Sequence, residues 1–276
     1  MTYPFIIPLD LELKFKTLEA LLSPYPSFAV AYSGGVDSTF LAWYVQKVLG
    51  KRLHAFLVQS PFLGRRERER AQSLAREIGF SLETLFGDPI AVPSIRENSS
   101  LRCYFCKKES MTAIKERAHT LGYAAVLEGS HAGDSRSYRP GRRALKELHI
   151  LSPLATAGFE KSEIREVSRL AGLSNWDLPS QSCLATRIPY GTAITSDLLS
   201  RIEEAESYLW EVGCRQVRVR IHENLARIEV TPEDFPLFME KNTREKLLRR
   251  FKELNFAFVS LDLAGYRSGS GDKINP

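Results

Sequence analysis

The sequence predicts an α/β fold: a parallel sheet flanked by helices, followed by a smaller α+β domain. Three observations carry the prediction. Short apolar runs alternate with helical patterns up to Gly172, and strands separated by helices pair in parallel. An irregular stretch with two prolines follows, Ser174 to Thr192. Beyond it two strand-like segments follow one another directly, which a βαβ repeat does not do. The boundary is placed so that residues 1–178 form the first domain and residues 179–276 the second.

The elements are read in order. Phe28-Ala29-Val30-Ala31-Tyr32 is an apolar run of strand length, and Thr39 to Val45 continues as an apolar helix. Arg52 to Val58 is a second strand. Arg65 to Gly79 is a charged helix whose apolar residues are Ala71, Leu74, Ala75 and Ile78, with Gly79 at its C-terminal end. Leu82 to Phe86 is a third strand, Lys107 to Leu121 a helix and Ala124 to Leu127 a short buried strand. Glu160 to Gly172 is amphipathic, with Lys161, Arg165 and Arg169 on one side and Ile164, Val167 and Ala171 on another. In the second domain Ser196 to Val212 is helical. Gln216 to Ile221 alternates as a strand, and Ala226 to Val230 is another. A charged helix is expected over Phe235 to Leu254, a strand over Ala257 to Leu261, and a flexible tail at Ser268 to Gly271.

Composition narrows the class. The chain has 276 residues, 43% hydrophobic and 26% charged, as ordinary globular proteins do. No apolar stretch is long enough to span a bilayer. Met1 to Asp10 has no basic leader, so a signal peptide is not expected and a cytoplasmic location is. The net charge of +5 suits a phosphorylated small molecule or RNA and separates neither.

Chemistry concentrates at three places. The first is Ser33-Gly34-Gly35-Val36-Asp37-Ser38, between the first strand and the first helix. Adjacent glycines let the backbone turn tightly, and the turn points free N–H groups and a helix N-terminus at one spot, an anion site. Ser33, Ser38 and Thr39 add hydroxyl donors. Asp37 sits where a helix favours a carboxylate, able to orient Mg²⁺ or a loop N–H, or simply to cap the helix. The run lacks the Walker pattern of G-x-x-x-x-G-K-[ST]. The bland alternative is a strand–turn–helix joint with small residues for packing.

The second place is the cysteines. Cys103 and Cys106 form a C-x-x-C pair among Arg102, Lys107 and Lys108, at a helix start, a setting that favours thiolate. The spacing reads as metal, cluster or redox chemistry, with a transient disulfide as a competitor. With Cys183 in Ser182-Cys183-Leu184-Ala185-Thr186-Arg187, three cysteines have the donors for a [4Fe–4S] cluster with one open iron. Cys214 reads as a small core residue. The third place is Arg187 to Thr192, joined by Arg218 and Arg220. The last two are two apart on a strand and face one side, as a phosphate or carboxylate clamp requires. A solvated edge strand is the bland alternative, and Arg227 is expected to pair with Glu229.

The S-G-G-x-D-S run resembles the pyrophosphate loop of the ATP pyrophosphatase superfamily. With Tyr138-Arg139-Pro140-Gly141, Ser182-Cys183, Arg187 to Thr192, Val217 to Arg220 with His222, and Leu261-Asp262-Leu263 with Gly265 and Arg267-Ser268-Gly269, the chain resembles the LarE family. That resemblance implies an adenine nucleotide alpha-hydrolase-like (PP-loop) fold. It implies a sulfur transferase that adenylates pyridinium-3,5-biscarboxylic acid mononucleotide and converts the carboxylate to a thiocarboxylate for a nickel-pincer nucleotide cofactor. It implies ATP at Ser33, Gly34, Gly35, Asp37, Ser38 and Thr39 with Mg²⁺, and the substrate phosphate at Arg187, Arg218 and Arg220. Cys183 and Glu206 stand at the reactive position, with Asp234 a weaker match. In one branch the cysteine gives up its own sulfur and becomes dehydroalanine. Cys103 and Cys106 beside Cys183 match the three-cysteine branch, in which a [4Fe–4S] cluster carries the sulfide. The expected partners are a small-molecule nucleotide substrate, a sulfide source and further copies in a homo-oligomer, not a membrane or nucleic acid. A tRNA thiolation enzyme with a three-cysteine cluster is the alternative.

Overall fold

The computed structural model describes residues 4–136, 140–179 and 181–267. In chain order its helices and strands are α1 (Glu12–Leu22), β1 (Ser27–Ala31), α2 (Val36–Trp43), β2 (Arg52–Gln59), α3 (Arg65–Ile78), β3 (Leu82–Phe86), α4 (Pro93–Arg96), α5 (Arg102–Thr120), β4 (Ala125–Leu127), α6 (Gly141–Glu147), α7 (Pro153–Thr156), α8 (Lys161–Leu170), α9 (Ser196–Glu211), β5 (Val217–His222), β6 (Leu225–Val230), α10 (Phe235–Met239), α11 (Lys241–Glu253) and β7 (Phe258–Leu261). Two compact units emerge, one from Met1–Pro89 and Leu101–Gln181, the other from Ile90–Ser100 and Ser182–Pro276.

The first unit is the expected parallel sheet, in the order β3-β2-β1-β4. Leu127 bridges to Leu151 beyond it. β1 is central, so its apolar run is covered on both faces. Alternate residues point opposite ways. Phe28 and Val30 join Phe15, Phe40, Tyr44 and Phe159 in one core, while Ala29 joins Phe56, Met111, Ile114 and Val126 in the other. Helices therefore cover both faces. α8 starts at a reciprocal capping box between Glu160 and Glu163, and α3 ends on Gly79 at a φ of 80°.

The second unit holds the small sheet β5-β6-β7, with β5 antiparallel and β7 parallel to β6. α9 lays Ile202, Ala205, Glu206 and Leu209 inward. The short segment Ile90–Ser100 folds here too: Ile194 N donates to Arg96 O at 2.8 Å and Gly191 N to Asn98 O at 3.0 Å.

Several boundaries differ from the sequence reading. The helix expected over Phe235 to Leu254 is two helices, because Glu240 is extended (ψ 128°) and begins α11 as its N-cap. α5 starts at Arg102, which places Cys103 and Cys106 inside its first two turns. The helix after the glycine loop starts at Val36 and continues past Trp43 as a π-helical turn, Tyr44–Val48. α1 was not foreseen; its Phe15, Leu18 and Leu22 are buried. Leu184–Arg187 forms a 3-10 turn within the segment read as irregular. Tyr138, Arg139 and the tail from Ser268 lie outside the described residues. Among the described residues, no helix is long and apolar enough to cross a membrane.

Candidate functional site

In the first unit the loop Ser33–Ser38 leaves the C-terminal end of β1, the sheet edge where ligands of parallel α/β folds bind. Gly34 has a φ of 73°, a left-handed conformation natural to glycine. A Cβ there would stand 2.7 Å from Ala71 Cβ and 2.8 Å from Ala71 Cα, so the loop packs directly on α3. Gly129, just after β4, is similarly required: its Cβ would lie 2.8 Å from Ser38 N. Ser38 Oγ accepts from Ser33 N at 3.2 Å and donates to Gly35 O at 3.2 Å, closing the turn on itself. Asn175 Nδ2 donates to Gly34 O at 3.1 Å and to Thr39 Oγ1 at 3.0 Å, tying the loop down from behind. Ser33 and Gly35 stay exposed.

Asp37 is held by a residue that sequence reasoning did not assign. Lys161 Nζ, at the start of α8, donates to Asp37 Oδ2 at 2.6 Å. Asp37 Oδ1 is buried and accepts nothing among the described residues. Beside the loop, at the end of β4, Glu128 is also buried. Its carboxylate accepts from Ser130 N at 3.1 Å, from Ser130 Oγ at 2.8 Å and from Ser152 Oγ, with Lys107 Nζ at 3.9 Å. A carboxylate directly after an apolar run, at the ligand end of a parallel strand, was the signal that could have found it.

In the second unit the centre is a buried ion pair. Arg187 donates from Nε and Nη2 to the two carboxylate oxygens of Glu206, at 2.8 and 2.9 Å, with both side chains at most 2% exposed. Glu206 Oε1 also accepts from Val219 N at 2.9 Å. Arg187 Nη1 turns the other way, to Ser182 O at 2.7 Å, Cys183 O at 2.8 Å and the hydroxyls of Ser182 and Thr186. The pair thus fixes the backbone that carries Cys183, whose side chain is exposed at the head of the 3-10 turn. Arg220 donates to Glu229 at 2.6 Å and to Thr186 O at 2.8 Å, holding the same turn from β5. Arg218 is buried, with its guanidinium 5.2 Å from the Tyr266 ring centroid and a hydrogen bond to Val217 O at 2.7 Å. Both arginines are buried, so the solvated-edge reading does not apply. Arg227 meets Glu229 as expected, at 3.1 Å within β6. Asp234 Oδ2 accepts from Arg215 N and Thr231 Oγ1, both at 3.1 Å.

Asn98 was not foreseen either. It is fully buried at a φ of 56°, and its Nδ2 donates to Ile188 O, Pro189 O and Thr192 O at 3.3, 2.8 and 3.1 Å. A short polar residue that tolerates left-handed backbone is what this position needs.

The cysteines divide by setting. Cys214 is buried, and burial together with Asp234 pushes its thiol up to about 11, as a core cysteine requires. Cys103 and Cys106 are half-buried in the first unit; Arg102 Nη2 lies 3.7 Å from Cys103 Sγ. Cys183 belongs to the second unit. Among the described residues no group of three His, Cys, Asp or Glu side chains is assembled to hold a metal ion.

No protein-family model matches the chain. Full-length relatives do. An uncharacterised protein of Synechocystis sp. is 41% identical over 264 residues, covering 96% of this chain and 98% of its own. The pyridinium-3,5-bisthiocarboxylic acid mononucleotide synthase of Lactiplantibacillus plantarum is 35% identical over 260 residues, covering 94% of each chain. The chain belongs to the LarE family. An uncharacterised protein of Methanocaldococcus jannaschii, 29% identical over 239 residues, is a more distant relative. The relatives span both units.

Proposed function

We propose that the protein is an ATP-dependent sulfur transferase of the PP-loop class that acts on pyridinium-3,5-biscarboxylic acid mononucleotide. The observation that carries the reading is the full-length identity with the L. plantarum synthase, whose name specifies the bisthiocarboxylic acid mononucleotide as product. The glycine loop supports the ATP half. It has exposed glycine backbone, the unpaired N-terminal N–H groups of α2 and a buried carboxylate oxygen without a partner.

A carboxylate is a poor electrophile because oxide does not leave. Attack of a substrate carboxylate oxygen on the α-phosphorus of ATP breaks the bond to the bridging oxygen, and pyrophosphate departs. The loop N–H groups, Ser33 and Ser38 would hold the departing charge. Asp37 has the donor chemistry for Mg²⁺: an oxygen ligand with one buried lone-pair face unused. Bound there, the ion supplies charge neutralisation on the phosphates. Lys161 then has a second role. Held at Asp37, its ammonium would stand at the loop for a phosphate oxygen.

The acyl-adenylate is next attacked by sulfur, and AMP leaves. Cys183 is the proposed nucleophile, supported by its exposure on a turn whose carbonyls are pinned by Arg187. The sulfur stays with the substrate carbonyl when the Cβ–Sγ bond breaks by loss of the Cα proton, leaving dehydroalanine. Arg218 and Arg220 are the proposed grips on the substrate phosphate, with Arg187 beside them. Cys103, Cys106 and Cys183 have the thiol chemistry for a [4Fe–4S] cluster, which would carry the attacking sulfide and spare the cysteine. Iron and acid-labile sulfide content of protein purified without oxygen decides between the two. Absence of iron with conversion of Cys183 to dehydroalanine supports the cysteine. About four irons per chain, lost in Cys103→Ala, supports the cluster.

A further inference from the structure

The half-buried Arg70 of α3 has no partner that its setting explains. It lies one residue before Ala71, the residue on which Gly34 of the loop rests. It shares a flank of the helix with Glu77, seven residues on. Glu77 accepts from Ser174 Oγ at 3.0 Å, and the next residue, Asn175, is the one that holds Gly34 O. The flank carrying Arg70 therefore faces the joint between the loop and the 174–175 segment, at the level of the loop glycine. β1 and β2 are parallel, so the start of α3 and the loop share one sheet edge.

No hydrogen bond or ion pair engages Arg70 among the described residues. Its electrostatic neighbours are Arg66, one turn earlier, and Glu67. Burial pushes its guanidinium pKa down, Arg66 pushes it further, and Glu67 offsets part of this. A partly buried guanidinium with no protein acceptor among the described residues, beside backbone made for an anion, is set up for a ligand that brings the acceptor oxygens.

We infer that Arg70 is a binding residue for the β- and γ-phosphates of ATP, and for the pyrophosphate they become. This rests on the reading of the Ser33–Ser38 loop as the ATP site. The loop N–H groups meet the anion from β1 and α2, and Arg70 meets it from α3. AMP, which lacks those phosphates, does not use it. The arginine thus selects the triphosphate over the monophosphate product and releases its hold when pyrophosphate leaves.

The test is titration calorimetry on the full chain with α,β-methylene ATP, inorganic pyrophosphate and AMP. Arg70→Gln, Arg70→Lys and the exposed control Arg76→Gln are compared with the parent. Loss of a charge-assisted pair predicts that Arg70→Gln weakens the ATP analogue and pyrophosphate by about 10- to 100-fold and leaves AMP unchanged. Arg70→Lys falls between, and Arg76→Gln matches the parent. Pyrophosphate affinity equal to the parent's in Arg70→Gln overturns the inference while the loop reading stands. An equal loss of AMP and pyrophosphate also overturns it, since that would be a disturbed loop. Failure of the parent to bind the ATP analogue or pyrophosphate overturns the loop reading and the inference together.

Discussion

At the residue scale the loop makes separable demands. Gly34 sits in left-handed backbone with Ala71 where a Cβ would go, so Gly34→Ala both strains the turn and pushes the loop off α3. A loss of about 1–3 kcal/mol in chemical unfolding is expected, together with loss of ATP binding. Asp37→Asn is different. The Lys161 pair is partly exposed, so stability should change by less than about 1 kcal/mol. Substrate-dependent pyrophosphate release should fall by about 100-fold or more, measured by a coupled phosphate assay. Release at the parent rate would remove Asp37 from the mechanism. The two reactive-looking thiols also separate. Cys183 is exposed and should be alkylated by iodoacetamide at neutral pH. Cys214, buried and raised to about 11, should react only after unfolding, as peptide mass mapping will show.

The elements around Cys183 act through Arg187 and Glu206. Glu206→Gln leaves the Arg187 charge buried without its counter-ion and should cost about 3–5 kcal/mol. The double variant Arg187→Met with Glu206→Leu should recover much of that, because the uncompensated charge is gone. Recovered stability without recovered sulfur transfer would mark the pair as positioning residues for the Cys183 turn. A double-variant loss equal to the sum of the losses from Arg187→Met and Glu206→Leu alone would show that the pair is not coupled. Asn98 supports the following turn, and Asn98→Ala strands up to three carbonyls at once. A loss of about 2–4 kcal/mol is expected in denaturant unfolding. Both devices join residues far apart in sequence, Arg187 to Glu206 and Asn98 to Ile188, Pro189 and Thr192. No periodicity or spacing announces such pairs. The glycine loop was legible because its contacts are local: strand, two glycines, helix. Its two supports were not, since Lys161 and Asn175 arrive from α8 and the segment after it. The break at Glu240 was hidden because charged residues continue through it.

At the scale of the whole molecule, sequence periodicity predicted the parallel sheet with helices on both faces and the small second sheet. β1 and β2 show why: alternate residues feed two different cores, so β1 is apolar from Phe28 to Ala31 and β2 from Ala55 to Val58. α1 was missed because its apolar positions are interleaved with Lys and Glu, and its burial depends on partners distant in sequence, such as Phe40 and Phe159. Three groups among the described residues make stability fall in acid. The Tyr104 hydroxyl, Lys108 and Arg143 hold the Glu147 carboxyl down at about 2 from its ordinary 4.5. Burial holds His54 and His222 below their ordinary 6.5, against partial opposition from Glu83 and Glu229. In each case the unfolded chain takes up protons before the folded one does. Their contributions are present above the ordinary values and are lost as pH falls toward the folded ones. Thermal midpoints should therefore fall as pH drops below 6.5, and fall further below 4.5. A midpoint that rises on acidification would contradict this.

The most direct measurement is mass spectrometry of protein and products after the purified chain meets ATP, Mg²⁺ and pyridinium-3,5-biscarboxylic acid mononucleotide. The predicted result is AMP, pyrophosphate and a nucleotide in which sulfur replaces a carboxylate oxygen, with no thiocarboxylate from Cys183→Ser. No AMP and no sulfur-bearing nucleotide, or the same product from Cys183→Ser, would contradict the account.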